Sequence, residues 1–172
     1  MSFMNRKTPS TSAVLSSPPA LRGAIAQFSL KGRALRLLSG REHSRAELVR
    51  KLKIYEEEPG GLAAVLDELQ AKDFISEQRV IESVINRRSA KLGTARIRQE
   101  LQSKGLDKEA VIDAVAGLQS TELARARELW RKKFGEPATE AKERGKQMRF
   151  LAARGFSGDT VRRILSRTQD DE

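Results

Sequence analysis

The sequence predicts an all-α protein composed of three tandem three-helix repeats, and two observations lead to this fold class. Helix-forming residues dominate the 172-residue chain, whereas aromatic residues make up only 5% of it, which leaves little material for β-strands. Three segments also align without gaps when Leu52, Leu101 and Leu151 serve as reference positions, spaced 49 and then 50 residues apart. A period of about 50 residues is compatible with helical repeat proteins. Each segment is therefore expected to contain three consecutive helices.

The second helix of each repeat is predicted to end just after its reference leucine. In the second and third segments a basic residue, a glycine and an apolar residue follow, as Lys104-Gly105-Leu106 and Arg154-Gly155-Phe156. A cation near the last carbonyls and a left-handed glycine are common at helix C-termini. In the first segment Glu56 replaces the glycine and Glu57-Glu58-Pro59-Gly60-Gly61 fills the turn. We expect a looser corner there.

The third helix of each repeat is predicted from an apolar stripe with the spacing i, i+3, i+4 and i+7. The stripe positions are Leu62, Val65, Leu66 and Leu69 in the first segment, Val111, Ile112, Val115 and Leu118 in the second, and Val161, Ile164 and Leu165 in the third. We expect these side chains to form the core. They describe the fold and not the function.

Capping residues predict where the helices begin and end. Ser44 and Glu47 have the spacing of a capping box. Further expected N-caps are Ser76, Thr94, Asp107 and Ser157, and Pro137 is expected in the first turn of a helix. Gly93 and Gly135 are expected to end the first helices of the second and third repeats.

These signals divide the chain into five parts. They are a disordered basic arm rich in Ser and Pro at 1–28, helical repeats at 29–74, 75–119 and 120–167, and an acidic tail at 168–172. No apolar run approaches the roughly 18 residues of a membrane span, and the start lacks the apolar core of a secretory signal, so we expect a cytoplasmic protein. The alternative is an organellar transit peptide, because residues 1–41 contain no Asp or Glu, but Pro9, Pro18 and Pro19 interrupt any amphipathic helix there.

The sequence offers no constellation for catalysis. The chain has no cysteine, and His43 is its only histidine, which we expect on the surface of a turn. Gly145-Lys146 does not belong to a phosphate-binding loop, because Glu140 and Gln147 stand where that motif needs Gly and Ser or Thr. Glu56, Glu57 and Glu58 lie in a turn that is expected to be solvated. We therefore predict that the protein is not an enzyme and needs no metal or cofactor.

The charge distribution instead predicts binding to a polyanion. The formal net charge is +10 and the pI is near 10.3, and Lys and Arg gain affinity by displacing counterions from phosphates. The candidate binding residues are Arg87, Arg88, Lys91, Arg96, Arg98 and Lys104 in the second repeat, and Arg131, Lys132, Lys133, Lys142, Arg144, Lys146 and Arg149 in the third. The larger aromatic side chains fall on or beside the core register, so sequence-neutral electrostatic contact is favoured over base stacking.

With the repeats aligned, residues 30–167 resemble the RecX family of recombination regulators. The first repeat carries Ala34-Leu35-Arg36-Leu37-Leu38 and Ser44-Arg45-Ala46-Glu47-Leu48. The second carries Phe74-Ile75, Ile97-Arg98-Gln99-Glu100-Leu101 and Lys104-Gly105-Leu106. The third carries Lys133-Phe134-Gly135, Lys146-Gln147 and Phe150-Leu151-Ala152-Ala153-Arg154-Gly155-Phe156. Ser76-Glu77 and Val80-Ile81 depart from the family pattern, which has an Asp-Asp pair and a Phe-Ala pair there. The resemblance rests on the order and spacing of these motifs.

The resemblance implies a curved, elongated array that lies in the groove of the RecA filament on single-stranded DNA. In that position it is expected to inhibit RecA ATPase and strand exchange, and so to modulate recombination, DNA repair and the SOS response. We expect a monomer with weak, sequence-neutral affinity for DNA. Two alternatives stay open: a free-standing helical DNA-binding protein, and an adaptor for an acidic protein. The first is disfavoured because Asp67, Glu68 and Asp113 make the third-helix faces acidic, except for Arg162 and Arg163.

Overall fold

The computed structural model describes residues 29–166, and these residues form helices without a strand. The helices are α1 (Leu30–Gly40), α2 (Arg45–Leu52), α3 (Gly61–Ala71), α4 (Glu77–Arg88), α5 (Thr94–Ser103), α6 (Lys108–Gln119), α7 (Glu122–Phe134), α8 (Ala141–Ala153) and α9 (Gly158–Ser166), with a short 3₁₀ turn at Lys53–Tyr55. They form three tandem three-helix repeats, α1–α3, α4–α6 and α7–α9, which confirms the predicted fold class. The predicted arm at 1–28 and tail at 168–172 lie outside the described residues. No helix in 29–166 has both the length and the apolar character needed to cross a bilayer.

Each repeat has its own hydrophobic core. The buried members are Ala34, Leu48, Leu52, Leu62, Leu66, Leu69 and Ile75 in the first, Val80, Ile81, Val84, Ile97, Leu101, Leu106, Val111, Val115 and Leu118 in the second, and Ala126, Trp130, Leu151, Phe156, Val161, Ile164 and Leu165 in the third. All three reference leucines are buried, as the alignment requires. Ile75 packs in the first core although it follows the segment assigned to that repeat.

One predicted core position is wrong. Ile112 is 57% exposed, whereas Val111, Val115 and Leu118 on the same helix are buried. Because successive helical residues are about 100° apart around the axis, a stripe centred on these three turns Ile112 toward solvent.

Most predicted N-caps are confirmed. The Ser44 hydroxyl accepts a hydrogen bond from the Glu47 N–H at 3.1 Å, and the Ser44 N–H donates to the Glu47 carboxylate at 3.0 Å, which completes the capping box. The side chains of Ser76, Asp107 and Ser157 also accept backbone N–H groups of their own helices. These helix starts follow from local sequence alone.

Two predicted boundaries need correction. Pro137 lies in the loop before α8, which begins only at Ala141. Gly93 does not end α4 but is the N-cap of α5, so Thr94 is the first helical residue and not the cap. The cause is tertiary, because Gly93 sits directly against the chain of the third repeat. Gly135, in contrast, ends α7 with a positive φ as predicted.

The corner after α2 is ordered by a carboxylate where the other repeats use glycine. The Glu56 carboxylate accepts hydrogen bonds from the N–H groups of Gly60 and Leu62, both at 3.1 Å, and pairs with Lys53. These contacts tie the turn to the start of α3. The expectation of a loose corner is therefore wrong.

Candidate binding surface and the joints that position it

The first and second repeats meet where the corner after α5 packs on the start of α2. The Ser44 hydroxyl donates to the carbonyl oxygen of Lys104 at 2.5 Å. The Lys104 ammonium lies 2.8 Å from the Glu47 carboxylate, and the two side chains are only 10% and 9% exposed. Burial opposes ionisation of Glu47, but hydrogen bonds from Lys104, the Ser44 N–H and Arg41 outweigh it and lower the pKa of Glu47 to about 2. The joint therefore contains a buried ion pair.

The second and third repeats meet in the same way, where the corner after α8 packs on the start of α5. The N–H of Gly93 donates to the carbonyl of Arg154 at 2.8 Å, and the N–H of Ala95 donates to that of Gly155 at 3.3 Å. In both joints, the start of the second helix of one repeat therefore contacts the end of the second helix of the following repeat.

Glu122 is the buried carboxylate of this second joint. It accepts the N–H of Thr94 at 3.0 Å and the N–H of Ser157 at 2.8 Å, so one side chain binds the start of α5 and the start of α9. Burial opposes its ionisation, but the hydrogen bonds from Thr94 and Ser157 outweigh burial and lower the pKa of Glu122. The positive ends of two helix dipoles also favour the anion.

The corner glycines have a second role in these joints. Gly105 and Gly155 have φ values of +66° and +81°, the left-handed conformation expected of a helix C-terminus. A Cβ atom would also lie 2.8 Å from the Cβ of Ala46 at Gly105, and 2.7 Å from the Cβ of Arg96 at Gly155. Glycine is thus required where one repeat docks on the preceding one. The described residues include no repeat before the first one, which leaves room for Glu56 at its equivalent corner.

Arg125 completes the second joint from the side of α7. Its guanidinium donates to the carbonyl oxygens of Ser89 at 2.7 Å and Leu92 at 2.8 Å, just after α4, and to that of Leu118 at 3.2 Å in α6. Carbonyls at helix ends lack partners within their own helix. Arg125 therefore fastens α7 to two helices of the second repeat.

The joints change the set of candidate binding residues in one respect. Lys104 was predicted to bind a partner, but the structure buries it against Glu47, because the corner that contains it is the contact between repeats. His43, predicted on the surface, is only 3% exposed, since the turn before Ser44 belongs to the same joint. Its Nδ1 lies 3.0 Å from the carbonyl oxygen of Arg41, and burial lowers the pKa of His43. Neither residue is available on the surface.

The other twelve candidates lie on the outer faces of the second and third repeats. Arg144 is half-buried, and the exposed ones are Arg87, Arg88, Lys91, Arg96, Arg98, Arg131, Lys132, Lys133, Lys142, Lys146 and Arg149. We call these twelve residues the basic surface.

Local carboxylates neutralise only part of the basic surface. Arg87 and Arg88 both pair with Glu100, at 3.6 and 3.0 Å, so two cations share one anion. Lys132 and Lys146 each pair with an acidic residue of their own helix, at 2.6 and 2.5 Å. Exposed pairs of this kind are weak and exchange readily for other anions. The surface keeps an excess of positive charge.

Two features organise the basic surface. Lys142, Lys146 and Arg149 recur at i, i+4 and i+7 and therefore lie along one face of α8. Arg96 lies at the second joint, where its Cβ and backbone face Gly155 of the third repeat. Arg154, which directly precedes Gly155, stacks its guanidinium on the Phe150 ring at 3.7 Å. Positive charge thus continues from one repeat to the next across the joint.

Comparison with known proteins follows the same division into repeats. Residues 31–69 match the model of the RecX first three-helix domain, residues 76–115 match the second domain and residues 120–165 match the third. The chain belongs to the RecX family. The matched segments follow α1–α3, α4–α6 and α7–α9 in order.

Curated RecX relatives span nearly the same length as this chain. The protein named Regulatory protein RecX of Leptothrix cholodnii is 55% identical over 139 residues, which cover 81% of this chain and 88% of the relative. The protein of the same name from Herminiimonas arsenicoxydans is 48% identical over 146 residues, which cover 85% of this chain and 97% of the relative. These RecX relatives are regulatory proteins by name.

Solved RecX structures have the same fold. The crystal structure of RecX from Lactobacillus salivarius matches with a TM-score of 0.68 and 20% identity, over 81% of this chain and 94% of that one. A second crystal structure of regulatory protein RecX matches with a TM-score of 0.63 and 22% identity, over 88% and 80% of the two chains. At these identities the comparison concerns the fold.

The sequence did not predict that Glu47, Glu122 and Arg125 hold the joints between the repeats. Their roles depend on partners far along the chain, such as Lys104 for Glu47 and Ser157 for Glu122. One signal could have pointed to the joints, namely that the corner glycine is missing only from the first repeat.

Proposed function

We propose that this chain binds the RecA filament on single-stranded DNA, in the helical groove, and inhibits RecA ATPase and strand exchange. It thereby modulates recombination, DNA repair and the SOS response, as a cytoplasmic monomer without a cofactor. The observation that carries the proposal is the match of all three repeats to the RecX family, in order and over most of the chain.

The basic surface supports a nucleoprotein partner. Neutralising phosphates releases counterions, and this favourable term needs exposed Lys and Arg but no base-specific contact. In the second and third repeats Trp130 and Phe156 are buried, and Phe134 and Phe150 pack against the third core. The exposed Tyr55 and Phe74 belong to the first repeat, so the basic surface offers no platform on which bases could stack. Charge without stacking favours a DNA backbone that is already held in place by a protein filament.

The joints support an extended binding mode. In a repeat array each unit contacts its neighbours, so the spacing of surface charges is set by the contacts between repeats. Here the spacing between the second and third repeats is held by Glu122, Arg125 and the backbone bonds of Gly93. A fixed spacing allows several weak phosphate contacts to act together on a regular, helical partner.

The proposal is tested by measuring RecA ATPase on single-stranded DNA with and without the protein, beside its binding to DNA alone. We expect inhibition at protein concentrations well below those needed to bind free DNA. Unchanged ATPase with tight DNA binding would favour a free-standing DNA-binding protein. Unchanged ATPase without DNA binding would favour an adaptor for an acidic protein, and either result would overturn the proposal.

A further inference from the structure

The first repeat has an open cleft at the end that faces away from the second. The cleft has a volume of about 620 Å³, and Leu30, Arg33, Ile54, Tyr55 and Val65 are among the residues that line it. Ile54 is 79% exposed and Tyr55 is 43% exposed, which is unusual for apolar side chains placed side by side. Among residues 29–166, this end of the array therefore presents an exposed apolar patch.

The repeat register shows what this patch corresponds to. Counted from the reference leucines, Ile54 and Tyr55 are equivalent to Ser103 and Lys104 in the second repeat. Lys104 is buried because that corner docks on the repeat before it. The corner at Ile54 and Tyr55 is thus the position at which a preceding unit of chain would dock, and the unit that precedes it in this sequence is 1–28.

Charge at the cleft favours a basic occupant. Glu57 and Glu58 line the cleft and are exposed. The cations beside them are engaged within the repeat, since the guanidinium of Arg33 stacks on the Tyr55 ring at 3.9 Å and Lys31 pairs with Glu68 at 2.7 Å. The segment 1–28 contains Arg6, Lys7 and Arg22 but no Asp or Glu, so its charge is complementary.

The sequence just before α1 also has suitable apolar residues. Leu21, Ile25 and Phe28 recur at i, i+4 and i+7, a spacing that places them on one face of a helix. Ser29, the N-cap of α1, lines the cleft itself, so the chain enters the first repeat from this site. The eight residues from Leu21 would span about 12 Å as a helix and about 26 Å when extended.

We propose that residues 20–28 of the same chain dock on this cleft and cap the first repeat. Leu21, Ile25 and Phe28 cover Ile54 and Tyr55, and Arg22 reaches the carboxylates beside them. The segment takes the place that a preceding repeat occupies at the other two corners, and it shields an apolar end from other molecules. This proposal does not depend on which partner the basic surface binds.

Disulfide trapping tests the proposal in the full chain, which contains no cysteine of its own. The variant I25C/I54C is oxidised mildly, and the product is followed on a non-reducing gel at several protein concentrations. We expect a crosslink within one chain, at a rate that does not depend on concentration. Adding L21S and F28S keeps the tether length and the charge but removes the apolar contacts, and we expect it to slow the crosslink at least fivefold.

Other outcomes overturn the proposal. Equal crosslinking rates with and without L21S and F28S would mean that positions 25 and 54 meet only because they belong to the same chain. A crosslink between chains, growing with concentration, would show that a second copy covers the cleft, and absence of a crosslink would show that the segment does not reach it. Circular dichroism of each variant checks that the helices are retained.

Discussion

Replacing Glu122 by glutamine perturbs the joint between the second and third repeats without changing the size of the side chain. The carboxylate accepts two backbone N–H groups, from Thr94 at 3.0 Å and from Ser157 at 2.8 Å. Glutamine keeps one acceptor oxygen, but its amide group would face the other N–H as a second donor. One N–H, either the buried one of Thr94 or the part-buried one of Ser157, therefore loses its partner, and the remaining bond loses its charge.

The expected loss follows from these two changes. A buried donor left without a partner costs about 1–3 kcal/mol, and hydrogen bonds to a charged group are stronger than neutral ones by about 1 kcal/mol. We expect E122Q to lower the free energy of unfolding by about 2–3 kcal/mol. With a urea dependence of about 2 kcal/mol per molar, the unfolding midpoint should fall by roughly 1 M.

The assay is urea denaturation followed by circular dichroism at 222 nm. The matched control is E128Q on the same helix, because Glu128 is exposed and pairs only with Lys132 of its own helix among the described residues. We expect no measurable shift of the midpoint for the control. A shift below about 0.2 M for E122Q would refute the assignment of Glu122 as the carboxylate that holds the joint.

Three further predictions concern the joints. The pKa of Glu47 is lowered from 4.5 to about 2, so ionised Glu47 stabilises the fold by up to about 3 kcal/mol. This stabilisation is fully present above pH 5 and is lost as the pH falls toward 2. The denaturation curves of wild type and E47Q should therefore converge near pH 2. K104A should destabilise the chain by about 3 kcal/mol by leaving that carboxylate buried without its main partner, whereas K91A on the surface should not; equal unfolding midpoints would contradict the buried pair. G155A should lower the melting temperature, because a Cβ there meets the second repeat at 2.7 Å, while G117A, which meets nothing within 4 Å, should raise it slightly; the reverse order by calorimetry would exclude the close approach.

Sequence predicted what depends on neighbouring residues. The capping box at Ser44 and the C-terminal glycines Gly105, Gly135 and Gly155 each depend on residues a few positions apart, and the structure confirms them. The prediction that Pro137 lies in the first turn of a helix was wrong, because a proline can equally lie in the loop before a helix. Local sequence does not decide between the first turn and the loop.

The joints could not be predicted from the sequence, because their contacts join residues that are far apart along the chain. The sequence Lys104-Gly105 looks like an ordinary helix C-terminus with a solvated cation, and only the partner Glu47, 57 positions earlier, makes Lys104 a buried residue. Glu122 likewise looks like a surface residue in a first helical turn. A single sequence gives the charge of such a side chain but not whether another repeat covers it.

We propose that the basic surface of the second and third repeats carries the inhibition of RecA. The most direct measurement is RecA ATPase on single-stranded DNA, at fixed salt, with the variant R87E/R88E/R96E/R98E and with the control K51E/K72E/K108E/R162E. The control changes the net charge equally at exposed positions outside the basic surface. We predict that the first variant loses inhibition at least tenfold in concentration while keeping its melting temperature, and that the control stays within about threefold of wild type. Equal inhibition by the two variants would contradict the account.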